Sequence, residues 1–193
     1  MKTCNQLPIP RRTAAAALIF APALWLRAQA QSPGLLRATP PQTEGPFYPV
    51  TLPKDTDFDL MKNGELSYSK GQVAWVEGTV SDTKGKLVAG AQVEIWQCDH
   101  DSHYHHPGDG GKADERFQGF GRAVVGSDGR YRFRTLRPVA YAGRTPHIHV
   151  KVRLGQRDVL TTQLYVAGDA GNAQDFLWRR LSEPDRTDRK SVV

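Results

Sequence analysis

The feature that most constrains this chain is a series of short runs that alternate apolar and polar residues with period two and are separated by turn-forming residues. Gln72 to Asp82, Ala91 to Gln97, Arg122 to Val125, Arg130 to Leu136, His147 to Leu154 and Val159 to Val166 carry this pattern and are rich in β-branched and aromatic residues. Between them, Asp82-Thr83-Lys84-Gly85 and Ser127-Asp128-Gly129 supply the glycine that a tight hairpin needs at positive φ. Six strands at this spacing predict an all-β fold, an antiparallel β-sandwich with long loops. Helical spacing is confined to Ala173, Leu177 and Leu181, which predicts a short C-terminal helix over 173–181.

A chain of 193 residues, 39% of them hydrophobic, suffices for one domain with a substantial core. Residues 1–30 stand apart from it. Lys2, Arg11 and Arg12 precede an apolar run from Thr13 to Leu26, and Ala28-Gln29-Ala30 offers a small-residue cleavage site. The run contains Pro22 and falls short of the roughly twenty residues that span a bilayer, so it reads as a cleaved export signal and not as a stable membrane anchor. The Arg11-Arg12 pair suggests the twin-arginine route. A periplasmic or secreted location is therefore expected, with an extended arm over 31–70, the β-sandwich domain over 71–182 and a polar tail over 183–193.

Charge excludes one class of partner. Removing the four leader cations Lys2, Arg11, Arg12 and Arg27 from 26 basic residues leaves 22 against 20 acidic, a net charge of about +2. Those cations are interspersed with acids, which argues against nucleic-acid binding. Cys4 leaves with the leader, so Cys98 has no intramolecular disulfide partner in the mature chain and reads as a small buried thiol.

All six histidines fall in two groups, His100, His103, His105 and His106 in one polar segment and His147 and His149 on one predicted strand. In His147-Ile148-His149-Val150-Lys151-Val152 the period of two sends Ile148, Val150 and Val152 to the core and both histidines to the other face. Two imidazoles spaced i, i+2, about 6–7 Å apart along a strand, can converge on one metal; a pair of half-exposed strand histidines fits the spacing equally well. The His100 to His106 segment resembles a zinc or copper site on composition alone, but alternate histidines on a loop do not define a closed coordination shell.

Larger motifs surround these histidines: Thr43-Glu44-Gly45-Pro46, then Glu94-Ile95-Trp96-Gln97 with Tyr104 downstream, Arg134-Thr135-Leu136-Arg137-Pro138 with Tyr141, and Arg144-Thr145-Pro146-His147-Ile148-His149. In order and local spacing they resemble the intradiol ring-cleavage dioxygenases, in particular the single-domain protocatechuate 3,4-dioxygenase branch, from about Thr43 to Asp169. The resemblance implies a non-haem iron(III) ion held by Tyr104, Tyr141, His147 and His149. It further implies a small aromatic diol substrate and O2, with ring opening between the two hydroxylated carbons to a cis,cis-muconate-type diacid. A free phenol ionises near pH 10, so two tyrosine ligands suit an ion acidic enough to expel their protons. Tyr141 and Arg144 carry catalytic roles by the same resemblance, Arg144 stabilising negative charge on the substrate ring and Gln163 orienting substrate or dioxygen. Gly45 and Pro46 resemble the arm that lines the substrate pocket. Tyr131 and Tyr165, inside strand patterns, read as half-buried rings with hydrogen-bonded hydroxyls.

The link from Tyr141 to Arg144, only Ala142-Gly143, is shorter than in protocatechuate enzymes, which implies a more open pocket and widens the expected substrates to catechols in general. The strands also suit a non-catalytic, prealbumin-like sandwich module, which shares Gly78 to Asp82 and Ser127 to Phe133 but has no need of two tyrosines beside a His-x-His. Since the chain carries the whole quartet and the arm, a monomer or homo-oligomer is expected.

Overall fold

In a computed structural model, residues 35–188 and 190–191 are described. The leader expected over 1–30 lies outside the described residues; among those that are described, no helix is long and apolar enough to cross a membrane. The elements are β1 (Lys62–Asn63), β2 (Leu66–Ser67), β3 (Val73–Thr79), β4 (Gln92–Trp96), β5 (Phe120–Val124), β6 (Arg130–Leu136), β7 (His147–Leu154), β8 (Arg157–Val166), α1 (Glu183–Asp188) and β9 (Lys190–Ser191). Strands β3 and β6 pair antiparallel as one layer. The other layer runs β5-β4-β7-β8-β9, antiparallel except for β9, which joins β8 in parallel. All six predicted strands are present, and the β1–β2 hairpin inside the arm is an addition.

Alternation builds the core between these layers. Val76 from β3, Phe133 and Leu136 from β6, Val93 and Ile95 from β4, and Ile148, Val150 and Val152 from β7 form one buried cluster with Leu60, Met61 and Phe117. Both predicted turns form, with Gly85 at φ 82° and Gly129 at φ 69°. They do different work. The first closes a hairpin with a bridge between Ser81 and Leu87, whereas the second is a corner that carries the chain from β5 in one sheet to β6 in the other.

The C-terminal region departs from expectation. Residues Ala170–Gln174 and Trp178–Arg180 form two 3-10 turns, and the short helix begins only at Glu183. The reason lies in Asp175, whose carboxylate accepts the amides of Leu177 and Trp178 and so breaks the 173–181 stretch at its middle. Leu177 and Leu181 are buried as helical spacing suggested, but from separate turns. The polar tail over 183–193 is likewise not a plain solvated end: Asp185 is buried, takes a hydrogen bond from Ser182 and pairs with Arg37.

One glycine marks a close approach. A Cβ on Gly121 of β5 would stand 2.6 Å from Leu60 Cδ1 and 2.9 Å from the Asp57 carbonyl oxygen. Gly121→Ala is therefore expected to cost about 1–3 kcal/mol by overpacking, seen as a lower urea midpoint at unchanged m-value; an unchanged midpoint would mean that the 57–60 segment yields freely.

Candidate functional site

The outer face of β7 is not open to solvent. His147 and His149 are each 1% exposed, because the arm and the C-terminal segment cover them. Gly45, at φ 76°, brings arm backbone so near that a Cβ there would lie 3.3 Å from His149 Cε1. Pro46 next to it is exposed in the turn, and the two aromatic residues that follow make the contacts. Phe47 stacks on Tyr104 at 4.8 Å between centroids, and Tyr48 packs edge-on against Trp96 at 5.0 Å. Sequence reasoning missed both; their signal was an aromatic pair directly after the Gly-Pro turn.

Charges fasten this arm to the sheet. Lys151, two places along the same face of β7 from His149, pairs with Glu44 and holds its ammonium 3.7 Å from the centre of the Tyr48 ring. The Tyr48 hydroxyl donates to Glu94 at 2.8 Å, and the other oxygen of that fully buried carboxylate accepts two bonds from Arg122. Burial, and then Glu94, raise the ionisation of Tyr48 above the ordinary range, so it remains a donor.

Four rings close a circuit above this floor. Tyr104 and Tyr141 lie 5.0 Å apart between centroids, Tyr141 and His147 5.4 Å, His147 and His149 4.8 Å, and His149 and Tyr104 6.1 Å. His147 Nδ1 sits 2.6 Å from the Thr145 carbonyl, which can only accept, so the proton is on Nδ1 and Nε2 is the acceptor nitrogen. That Nε2 faces His149 Nε2 at 3.2 Å. His149 is held by Trp96, which stacks on it at 4.8 Å and 10°. The Tyr104 hydroxyl is buried and faces Tyr141, yet no partner meets hydrogen-bond distance and angle.

This donor set fits a cation. Burial, followed by the Arg144 charge, depresses His147 to about 4; burial, His147 and Arg144 depress His149 well below the usual range. Both imidazoles are thus neutral at neutral pH. Burial raises Tyr104 well above 10 and raises Tyr141 too, so neither phenol ionises unaided. A metal that binds here has to expel those protons, which favours a strong Lewis acid over zinc.

Arg144 and Gln163, predicted as separate contributors, belong to one network. Arg144 donates through Nε to Asp175 at 2.7 Å and through Nη2 to Gln163 Oε1 at 2.7 Å, with Phe176 5.2 Å from its guanidinium carbon. Gln163 is fully buried; its Oε1 also accepts from Tyr165, and its Nε2 donates to the Thr43 carbonyl. Both ends of the glutamine are thereby committed to protein groups, and it acts on the arm and the arginine. The short link carries Tyr141 and Arg144 into a two-residue turn with Ala142 at φ 43° and Gly143 at φ 77°, closed by Arg144 N–H to Tyr141 O at 2.7 Å.

The histidine-rich loop does not form a second centre. His105 Nε2 lies 2.5 Å from the Phe117 carbonyl, His106 Nδ1 accepts from Gly108 N–H, and His103 lies near Asp109. Among the described residues no three His, Cys, Asp or Glu side chains converge as a metal site. Cys98 is buried with its thiol pushed up to about 12 by burial and by Asp99, the state of a structural thiol.

The family model described as Dioxygenase matches residues 43–182. Hydroxyquinol 1,2-dioxygenase of Corynebacterium glutamicum is 37% identical over 144 residues, 65% of this chain and 45% of that protein. The protocatechuate 3,4-dioxygenase beta chain of Burkholderia cepacia is 36% identical over 147 residues, 70% of this chain and 60% of that one. The dioxygenase domain of a dioxygenase and carbohydrate-binding protein fusion from Streptomyces sp. SirexAA-E aligns with a TM-score of 0.61 at 34% identity, covering 74% of this chain and 83% of that one. The chain spans about half the length of the curated relatives it matches.

The histidines set the acid stability of the metal-free protein. His147 ionises near 4 when folded and near 6.5 when solvated, so between those values the unfolded chain binds the additional proton. Stability present above about pH 6.5 is lost as pH falls toward 4, up to about 3 kcal/mol from this residue. Urea unfolding at fixed ionic strength should show it; a flat midpoint across that window would mean solvated imidazoles.

Proposed function

Because the chain belongs to the intradiol ring-cleavage dioxygenase family, we propose that it opens catechol-type rings between the two hydroxylated carbons. It does so as a non-haem iron(III) enzyme that places both atoms of O2 in a cis,cis-muconate-type diacid. The observation that carries this reading is the closed circuit of Tyr104, Tyr141, His147 and His149, in which two Nε2 atoms face each other at 3.2 Å beside the buried Tyr104 hydroxyl, which is turned toward Tyr141. Those four side chains are the proposed ligands. When bound, ferric iron supplies Lewis acidity that draws electron density from a chelated catecholate and makes a ring carbon reactive toward dioxygen.

The protein's own groups do the rest. Thr145 fixes the tautomer of His147, and Trp96 fixes the plane of His149. Tyr104 is 2% exposed while Tyr141 is only partly buried, so Tyr141 Oη is the phenol oxygen able to receive a proton from an incoming diol. Arg144, held by Asp175 and Gln163, presents a fixed cation to charge that develops on the ring. Gly45 lets the arm close over the site, and Phe47 with Trp96 walls it with apolar surface.

The two-residue link between Tyr141 and Arg144 supports an open pocket and hence a range of catechols. Relatives named for hydroxyquinol, catechol and protocatechuate all match. The leader motif supports export, and the quartet carried by one chain supports a monomer or homo-oligomer without nucleic-acid partners. A sandwich binding module accounts for the strands but not for four converging metal donors.

Iron-loaded protein should be burgundy from tyrosinate-to-iron charge transfer. Tyr104→Phe and His147→Ala should each remove the colour and the oxygen uptake measured at an electrode with catechol, protocatechuate, hydroxyquinol and chlorinated catechols. Colourless protein with stoichiometric zinc that is inert toward all four sinks the assignment.

A further inference from the structure

Asp175 was not expected from sequence to matter, yet its carboxylate is the most heavily engaged acid near the site. Its side chain is fully buried. Oδ1 accepts the amides of Leu177 and Trp178, both at 2.9 Å, and so caps the C-terminal turn. Oδ2 faces the other way and accepts Arg144 Nε at 2.7 Å and the Thr145 amide at 3.1 Å. Burial pulls this carboxyl up, but the Arg144 hydrogen bond and the amides outweigh it and hold it below the usual carboxylate range.

The two groups on Oδ2 lead separately into the site. Arg144 is the proposed cation. Thr145 is the residue whose carbonyl takes the Nδ1 proton of His147, and its N–H, on the preceding peptide, is the group that Asp175 holds. Other contacts to Thr145 hold the side chain and not the peptide: its hydroxyl donates to Asn172 Oδ1 at 2.8 Å. Gln163 steadies the second guanidinium nitrogen but carries no charge. Among the described residues, Asp175 therefore supplies the one anion paired with the guanidinium, in a buried setting where a charge-assisted bond has its greatest strength.

We propose that Asp175 is a positioning residue, one carboxylate that sets the guanidinium of Arg144 and anchors the backbone N–H of Thr145, the residue whose carbonyl orients His147. Its kinetic consequence rests on the catechol-opening function proposed above; its geometric consequence does not.

Asp175→Asn separates the two. An Asn oxygen can still cap Leu177 and Trp178, while its amide presents hydrogens to Arg144 and Thr145, which are donors. In the metal-free full-length chain, the Arg144 Nε–H signal in 15N NMR, assigned by its absence in Arg144→Lys, should exchange at least about tenfold faster in Asp175→Asn. Asn172→Ala, in the same turn, should lower the melting temperature without this change. In iron-loaded protein that keeps its charge-transfer band, kcat/KM for catechol should fall about ten- to hundredfold in Asp175→Asn and only several-fold in the charge-retaining Asp175→Glu. Both losses should shrink in an Arg144→Ala background to the part carried through Thr145, because residues acting through one another are non-additive. Should Asp175→Asn not fold, the Asp175→Glu cycle with Arg144→Ala carries the test alone. Unchanged Nε exchange in Asp175→Asn, or a full loss that persists without Arg144, overturns the proposal. Absence of catechol turnover in the unmodified protein would count against the proposed function and leave the exchange measurement to decide the role of Asp175.

Discussion

Strand β7 has two faces with opposite chemistry, and the rest of the molecule is arranged around keeping them apart. Ile148, Val150 and Val152 enter the core while His147, His149 and Lys151 stand on the reverse side. A slip of one residue would put imidazoles into the core and isoleucine against the phenols. Hydrogen bonding to β4 on one edge and β8 on the other resists that slip, and the register sets Trp96, His149 and Gln163 side by side across the sheet. Stacking partner, proposed ligand and arginine support are thus adjacent because three strands are in one alignment.

Burying the polar face demands a partner for every charge on it. Glu94 meets Arg122 and Tyr48, Lys151 meets Glu44 and the Tyr48 ring, and Arg144 meets Asp175. Three of these contacts reach into the arm, so the charges of the sheet also hold the cover of the site. That accounts for Phe47 resting on Tyr104 and Gly45 on His149 even though the arm contributes no strand to the main sheets.

What could be read from sequence follows from the range of the forces involved. Alternation is local, so the strands and the facing of His147 and His149 were legible, and the Thr-x-Gly-Pro, Trp-Gln and His-x-His motifs located the quartet. Long-range polar contacts were not legible. Nothing around Asp175 in Asn172-Ala173-Gln174-Asp175-Phe176 signals that its carboxylate reaches Arg144, and the same contact turned an expected helix into two turns. Gln163 was assigned toward substrate because its partners Thr43 and Tyr165 could not be seen. The histidine-rich loop was ambiguous on composition, which fits a metal site without defining a closed shell; in the fold His105 and His106 contact the backbone of their own loop.

The two phenols are not equivalent, and their supports explain why. Tyr104 lies in a loop pinned by carboxylates, its amide bonded to Asp109 and the neighbouring His103 amide to Asp99, and its ring is buried under Phe47. Tyr141 sits on a turn of two residues in which Ala142 adopts φ 43°, a conformation that costs a residue with a Cβ about 1–2 kcal/mol. One end of that turn is fixed, because Arg144 is tied to Asp175 and Gln163; the other end carries the partly buried ring. The Tyr141 ring is thus the more accessible of the two, on a turn anchored at its arginine, while the Tyr104 ring is buried. Under the proposed function, that difference makes Tyr141 Oη, and not Tyr104 Oη, the phenol oxygen that would take a proton from the substrate.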